Sequence, residues 1–369
     1  MLELRYPQQA RRAEGAVKYL ILYHANCNDG VWSAWAALQA IDLQGGEDSV
    51  ECLGVYYNKP LPDQAWEVAQ DGGVIFIVDF SYPRADLVAL QDAGAALVQV
   101  IDHHETAMNQ LSGFHDAIFD MNRSGAVLTW EAFSSGRVES HSGVLAKSSK
   151  IYGQPVPKLL EYVQDRDLWR HELPWTREVY SAMSSFGWMN TQPEYLDKTV
   201  RVDTGYEPTD PKLVEQLIDL GKPAFRRRME EVRAIVQGHQ YWVNLGDGLV
   251  PIVEAQKYWS DVANMLCHIY LDAPYAVCWR CDRNGDAVLD LRSLGFPVNA
   301  IAKNLGGGGH RKAAGCPIPS ALLSPEAEAS AEHPAHQPPL ALYDRDGETI
   351  AVLRRDGVVI PVDADGRPG

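Results

Sequence analysis

Aspartate and histidine side chains follow three apolar runs of this sequence, each at the point where a strand would end. The runs and the residues that follow them are Leu97–Ile101 with Asp102-His103-His104, Val74–Val78 with Asp79, and Tyr19–Tyr23 with His24 and then Asp29. Because the carboxyl ends of parallel strands meet at one edge of a sheet, we expect these side chains to converge. Carboxylate oxygens and imidazole nitrogens bind divalent cations, and one carboxylate can bridge two of them. The pattern therefore predicts a site for two divalent cations.

The mixture of ligand types bears on which metal the site would hold. Imidazole nitrogens suit Mn²⁺, Zn²⁺ and Fe²⁺ better than Mg²⁺, so the set predicts Mn²⁺ first. A further carboxylate is expected from the segment Tyr162–Trp169, in which either Asp165 or Asp167 could complete the site. Any one of these aspartates alone could instead form a turn or cap a helix, but that alternative does not account for the whole set.

A glycine-rich segment, Gly306–Gly309, forms the second group of interest, and His310 follows it. Successive glycines expose backbone N–H groups and let a phosphate approach the chain closely. Arg292 follows another apolar run and is a candidate to bind phosphate with its guanidinium. The alternatives are a flexible hinge for the glycines and an ion pair with Asp290 for Arg292. The predicted substrate-binding residues are Arg292, Ser293, Gly307, Gly308, Gly309 and His310.

Alternating strands and helices must position these residues. From about residue 17 to 190, apolar runs alternate with helical stretches, which predicts an α/β fold with a mostly parallel, doubly wound sheet. A helical linker and a smaller α/β domain should follow, and Pro223 should kink or split the linker. The predicted boundaries are an N-terminal arm at 1–16, the catalytic domain at 17–205, the linker at 206–239, the smaller domain at 240–319, and a flexible linker with a small β appendage at 320–369.

Composition narrows the class of function. The chain has 369 residues and a net charge of −16, from 49 acidic and 33 basic residues. A protein that grips long nucleic acids usually carries a basic face, so the charge favours short or small phosphate-containing substrates. No apolar run approaches the roughly 20 residues that span a bilayer. We therefore expect no membrane partner and a cytoplasmic location, and the oligomeric state stays open.

Six cysteines are scattered along the chain. Cys278 and Cys281 have the spacing of half a zinc site, but no second pair would complete a tetrahedral site. They lie in an apolar run followed by turn residues, which predicts a strand and hairpin. Structural cysteines on a strand are therefore the preferred interpretation.

Two motifs together resemble those of DHH-family phosphoesterases that carry the DHH-associated C-terminal domain. They are Asp102-His103-His104 near one end and Gly306–His310 with Ala313-Ala314-Gly315 near the other. This superfamily includes RecJ-type exonucleases, nanoRNases and cyclic-dinucleotide phosphodiesterases, and the resemblance covers roughly residues 17–318. It implies a site for two Mn²⁺ ions between two domains, with Mg²⁺, Zn²⁺ or Fe²⁺ as alternatives. The C-terminal domain would hold the substrate.

The resemblance also implies roles for individual residues. One metal would be held by His24 and Asp79, and the other by Asp29, Asp79, His103 and Asp165. Asp102 would orient His103, and His104 would face the scissile phosphate or the metals. The substrate phosphate or terminal nucleotide would be bound by Arg292 and His310. The catalytic set is thus Asp79, His103 and His104.

The first motif departs from the family, because Cys27-Asn28-Asp29-Gly30 stands where Asp-x-Asp-Gly is common. Either Cys27 ligates a metal and favours a softer ion such as Zn²⁺ or Fe²⁺, or it is inert and the first metal is held weakly. We predict the former.

The expected function is that of a metal-dependent phosphodiesterase. It would hydrolyse short oligonucleotides or signalling (di)nucleotides with a water activated by two metals. One alternative is a RecJ-like exonuclease acting on longer single-stranded DNA. Another is a catalytically silent nucleotide-binding protein on the same fold, which only Cys27 favours.

Overall fold

The computed structural model describes residues 17–41, 43, 48–57, 59–138, 149–238, 241–281, 287–317, 340–343, 349–353 and 359–361. The chain divides into two units between Phe225 and Arg226. The predicted N-terminal arm, and the predicted flexible linker as far as residue 339, lie outside the described residues.

Five parallel strands form the sheet in the described part of the first unit. They are β1 (Lys18–His24), β2 (Ser49–Val55), β3 (Val74–Val78), β4 (Leu97–Asp102) and β5 (Ala117–Phe119). Their spatial order is β2-β1-β3-β4-β5, with every neighbouring pair parallel. The predicted fold class, an α/β fold with a parallel sheet, is confirmed.

Helices cover both faces of this sheet. Those of the first unit are α1 (Asn28–Ala40), α2 (Asp63–Gln70), α3 (Arg84–Asp92), α4 (Glu105–Gln110), α5 (Gly125–Ser134), α6 (Lys158–Asp167), α7 (Thr176–Phe186) and α8 (Leu196–Thr204). Ile21 and Phe76 pack with α1 and α5 on one face. Leu22 and Ile77 pack with α2 and α3 on the other face. Because both faces are buried, the central strands β1, β3 and β4 are nearly continuous apolar runs rather than alternating ones.

The order of the strands places a switch point between β1 and β3. β2 lies on one side of β1, whereas β3, β4 and β5 follow on the other. In open α/β sheets, ligands bind in the crevice at the carboxyl ends of the strands beside such a point. β1 ends at His24, and Asp79 directly follows β3, so these two residues flank the switch point.

A single long helix, α9 (Pro211–Val236), contains the division between the two units. Pro223 lies inside α9 and does not split it; of the predicted kink or split, the split does not occur. None of the helices among the described residues is both long and apolar enough to cross a membrane.

The second unit contains a mostly antiparallel sheet. Its elements are β6 (Tyr241–Asn244), β7 (Leu249–Glu254), α10 (Trp259–Ile269), β8 (Ala276–Cys281), β9 (Ala287–Arg292), α11 (Val298–Asn304), β10 (Gly308–His310), β11 (Ala313–Pro317), β12 (Leu340–Tyr343), β13 (Thr349–Leu353) and β14 (Val359–Pro361). Among the described strands of the second unit, only β7 and β8 pair in parallel. β13 and β14 pair antiparallel, and β12 pairs with both β13 and β6. Cys278 and Cys281 lie on β8 without a disulfide, in agreement with a structural role.

Candidate metal centre

Carboxylates and imidazoles meet at the carboxyl edge of the parallel sheet. Nε2 of His103 lies 3.0 Å from Oδ1 of Asp79, 3.4 Å from Oδ2 of Asp29 and 3.7 Å from Oδ2 of Asp167. On the other side of Asp79, Nδ1 of His24 lies 3.6 Å from Oδ2. His103, Asp29 and Asp79 are almost completely buried. We call these five residues, together with Cys27, the cluster.

Asp79 occupies the middle of the cluster. Its backbone has φ of 53°, in the left-handed region, which aspartate tolerates better than most residues. Its buried Oδ2 has no hydrogen-bond partner within the described part of the chain. Burial tends to raise the pKa of this carboxyl, but pairing with His103 and His24 outweighs burial and holds the pKa well below its usual range. Asp79 therefore presents a charged oxygen to each of two histidines.

Two backbone N–H groups at the start of α5 hold Asp29. Gly125 donates to Oδ2 at 2.5 Å, and Ala126 donates to Oδ1 at 3.0 Å. The N-terminal end of a helix favours negative charge, so α5 positions this carboxylate. Burial and the negative charges of Asp79 and Asp167 nevertheless raise the pKa of Asp29 well above its usual range. Such mutual repulsion is what a bound cation would relieve.

Gly125 lies where α5 meets the cluster, and the sequence alone did not single it out. A Cβ at this position would lie 2.6 Å from Cβ of Asp79 and 2.8 Å from Oγ of Ser33. Only glycine therefore lets α5 approach closely enough to bind Asp29.

Asp102 orients the ring of His104. Its Oδ1 lies 2.7 Å from Nδ1 of His104 and accepts the backbone N–H of His103, also at 2.7 Å. The sequence prediction had Asp102 orienting the His103 ring, whereas that ring turns toward Asp79. The difference arises because β4 ends at Asp102, and the next two side chains leave the strand in different directions. Burial tends to lower the pKa of His103, but the hydrogen bond to Asp79 and nearby charges raise it to about 10.

The structure places Asp167, rather than the predicted Asp165, in the cluster. The Asp165 carboxylate instead accepts two backbone N–H groups of the following loop and the hydroxyl of Thr176. Residues two apart point roughly 200° apart around a helix, since one turn takes about 3.6 residues. The two aspartates of α6 therefore face opposite ways. Oδ2 of Asp167 is buried and lacks a hydrogen-bond partner among the residues that the structure describes.

Cys27 immediately precedes α1 and lies beside His24 and Asp79. The ligand atoms of these three residues all lie within 4.8 Å of one another. Burial and the negative charges of Asp79 and Asp167 raise the pKa of the Cys27 thiol well above its usual range. The thiol is thus placed among acidic groups, not in an aliphatic core.

Tyr57 borders the cluster and was not singled out from the sequence. Its ring centroid lies 5.2 Å from that of His24, 6.0 Å from that of His104 and 4.5 Å from that of Phe80. The residue keeps 46% of its surface exposed. Burial at its hydroxyl end and the charges of Asp102 and Asp79 raise the pKa of the phenol well above its usual range. Its position after β2 is the one signal that could have indicated it.

The donor set of the cluster fits divalent cations. It offers carboxylate oxygens, imidazole nitrogens and one thiol, and two buried carboxylate oxygens, on Asp79 and Asp167, lack hydrogen-bond partners among the described atoms. Buried carboxylates at such distances need compensating positive charge. The residues present therefore suit a metal centre with at least one bridging position at Asp79.

In the second unit, the predicted phosphate-binding residues are held by local contacts. Arg292 donates to the hydroxyl of Ser260 at 2.6 Å, and Asp290 pairs with Arg280 at 2.8 Å. Asp290 thus has Arg280 as an ion-pair partner. The hydroxyl of Ser293 donates to a backbone carbonyl at 2.5 Å, so it serves the turn in which it lies.

The glycine-rich segment forms part of a hairpin. β10 pairs antiparallel with β11, opposing His310 to Ala313. A Cβ at Gly307 would come within 2.0 Å of the carbonyl oxygen of Gly315, so glycine is required for this close approach. Phosphate binding by Gly307–His310 remains a prediction.

Comparisons with known proteins bear on this centre. No protein-family model matches the chain. The chain is 25% identical over 315 residues to oligoribonuclease NrnB of Bacillus subtilis (strain 168), covering 80% of this chain and 72% of NrnB. This chain also contains the motif Asp102-His103-His104, which lies with Asp29 and Asp79 in one centre. The chain therefore resembles the DHH phosphoesterase superfamily, as its motifs predicted.

The chain is also similar to a viral protein in sequence and to a solved structure. The chain is 25% identical over 311 residues to uncharacterized protein R106 of Acanthamoeba polyphaga mimivirus, covering 80% of this chain and 66% of the viral protein, just under two thirds. The solved structure of RecJ from Thermus thermophilus in complex with Mn²⁺ has a TM-score of 0.44 and 15% identity. That alignment covers 83% of this chain and 50% of the RecJ chain.

Proposed function

We propose that this chain is a metal-dependent phosphodiesterase that hydrolyses short oligonucleotides or signalling dinucleotides. The observation that carries the proposal is the convergence of Asp29, Asp79, His103 and Asp167 around one point of the sheet edge. When bound there, two divalent cations would acidify a water and neutralise charge on the phosphoryl oxygens. The mixture of imidazole and carboxylate ligands favours Mn²⁺ over Mg²⁺.

The residues of the cluster would divide the work of holding the cations. Asp79 lies between His24 and His103 and is suited to bridge both sites. The proposed ligands are His24 and Asp79 for one cation, with Cys27 considered below, and Asp29, Asp79, His103 and Asp167 for the other. The helix end that holds Asp29 keeps this carboxylate fixed before any cation arrives.

His104 would contact the substrate rather than the cations. Asp102 holds its Nδ1, so Nε2 is the atom that would donate to the scissile phosphate. Burial tends to lower the pKa of His104, but the charge and hydrogen bond of Asp102 raise it overall. A protonated ring so oriented would stabilise negative charge that develops on the phosphoryl group.

The negative net charge of the chain favours short substrates over long ones, and Tyr57 offers such a substrate a contact for its base. The net charge of −16 disfavours an extended grip on a nucleic-acid backbone. The half-exposed Tyr57 ring beside the cluster offers a surface on which a nucleobase can stack. NrnB, by its name an oligoribonuclease, supports the same substrate class. Arg292 and His310 of the second unit remain the proposed contacts to a terminal phosphate or nucleotide.

The decisive test is a product-length profile with Mn²⁺, using labelled RNA and DNA of increasing length and cyclic dinucleotides. Asp79→Asn is the matched control, because asparagine tolerates the left-handed backbone while removing the negative charge. We expect rapid cleavage of the shortest substrates and a loss of several orders of magnitude in the variant. Faster cleavage of long single-stranded DNA would indicate a RecJ-like exonuclease instead. Nucleotide binding without hydrolysis would indicate a silent binding protein.

A further inference from the structure

The ligands around Asp79 fall into two groups with different donor atoms. One group consists of His24, Cys27 and Asp79, and it includes a sulfur. The other group consists of Asp29, His103 and Asp167, and it offers only oxygen and nitrogen. The two groups therefore differ in chemical softness, although both lie at the same sheet edge.

Cys27 differs from the buried cysteines of the chain in its surroundings. Cys52, Cys278 and Cys316 lie on strands within the core, whereas Cys27 lies at the junction between β1 and α1. The acidic side chains nearest to it belong to the cluster itself. A core role does not explain a thiol in such a place.

A second observation points to a ligand beside Cys27. Asp79 is only 1% exposed, and its Oδ2 has no hydrogen-bond partner in the described structure. The same oxygen faces Nδ1 of His24 at 3.6 Å, too far for a hydrogen bond. The ligand atoms of His24, Cys27 and Asp79 thus lie within 4.8 Å of one another, and the buried oxygen of Asp79 among them has no hydrogen-bond partner in the described structure.

We propose that the two metal positions differ in preference, so that His24, Cys27 and Asp79 select a thiophilic ion such as Zn²⁺ while Asp29, His103 and Asp167 accept Mn²⁺. This inference rests on the proposed function, since it assigns ions to that same centre. A thiolate strengthens binding of Zn²⁺ far more than that of Mn²⁺, which prefers oxygen ligands. On coordination, the Cys27 thiol gives its proton to the solvent and its sulfur binds the ion. The active protein would then carry two different metals.

Co²⁺ provides a spectroscopic test, because a cobalt ion bound by a thiolate has a charge-transfer band in the near ultraviolet. We would titrate the metal-free full-length protein with Co²⁺ and record this absorption. The band should appear in the wild-type protein and in Cys281→Ser, which removes another partly exposed cysteine. It should vanish in Cys27→Ser. Circular dichroism would verify that each variant folds.

A second variant, Cys27→Asp, tests the selectivity itself by restoring an oxygen ligand. Competition titrations measure the affinity of this variant for Zn²⁺ relative to Mn²⁺, and this ratio should fall by roughly 10–100-fold. Losing a residue that only supports a metal ligand already lowers metal affinity by that amount. Co²⁺ binding without the thiolate band, or an unchanged Zn²⁺ to Mn²⁺ ratio in Cys27→Asp, would overturn this inference. Mn²⁺-dependent hydrolysis could still stand in that case. Failure of the wild-type protein to bind any divalent ion would instead defeat the proposed function.

Discussion

The metal centre requires glycine at position 125, and this requirement can be tested with one substitution. A Cβ there would lie 2.6 Å from Cβ and 2.9 Å from Oδ1 of Asp79, and 2.8 Å from Oγ of Ser33. Such distances are shorter than real Cβ contacts, so Gly125→Ala must displace either Asp79 or the first turn of α5. The same turn holds Asp29 through two N–H groups, so either movement disturbs a carboxylate of the cluster.

The size of the effect follows from this geometry. Restoring the 2.6 Å approach to an ordinary contact of 3.4 Å requires a shift of about 0.8 Å (3.4 − 2.6). Misplacing a positioned group by about 1 Å can cost about 100-fold in rate. Overpacking costs about 1–3 kcal/mol of folding free energy, whereas alanine in a helix is favoured over glycine by about 1 kcal/mol. The variant should therefore lose about 100-fold in kcat/KM but at most about 2 kcal/mol of stability.

The assay compares kcat/KM for a dinucleotide with Tm from circular dichroism. Gly295→Ala is the matched control, since a Cβ at Gly295 meets no atom within 4 Å. With about 2–4 °C per kcal/mol for a unit of this size, Tm of Gly125→Ala should fall by no more than about 8 °C. Near-normal kcat/KM in a folded Gly125→Ala protein would refute the packing argument. A collapse of Tm would show that the glycine serves the fold instead.

Three further predictions concern metal binding and substrate. Asp167→Asn should weaken Mn²⁺ binding, measured by calorimetry, and leave Tm unchanged. Asp165→Asn should instead lower Tm, because the Asp165 carboxylate holds the following loop through hydrogen bonds. The opposite pattern would contradict the placement of Asp167 in the cluster. Because Mn²⁺ would bind only the folded protein, Mn²⁺ at about 100 times its Kd should raise the free energy of unfolding by about 2.7 kcal/mol and Tm by roughly 5–11 °C. An unchanged Tm would argue against a metal centre. Tyr57→Leu should raise KM for a dinucleotide by about 5–150-fold, as expected for lost stacking, while Tyr57→Phe should not. Tyr57→Phe is the control because it keeps the aromatic ring, and a KM equally raised in both Tyr57 variants would exclude stacking.

The fold and the convergence at the strand ends could be predicted because both depend on local pattern. Runs such as Val74–Val78 are apolar at every position, which indicates strands buried on both faces and hence a parallel sheet. Once the sheet is parallel, its topology brings the ends of β1, β3 and β4 to one edge. The residues that follow those ends then lie close together without any knowledge of side-chain packing.

The remaining features of the centre depend on contacts between distant parts of the chain. The choice between Asp165 and Asp167 depends on the rotation of α6, which the sequence of a short helix does not determine. The requirement for glycine at Gly125 appears only once α5 is docked against Asp79. The placement of Tyr57 similarly depends on how the segment after β2 folds toward His24.

The hydrogen bonds from α5 to Asp29 also bear on how the protein matures. They join residues 96 and 97 positions apart in the chain. During synthesis the N-terminal strand emerges long before its anchoring amides, and Asp167 emerges later still. We therefore expect a ribosome-bound chain to remain unable to capture an ion until much of the first unit has been made. Cation loading would then indicate that synthesis has passed Asp167.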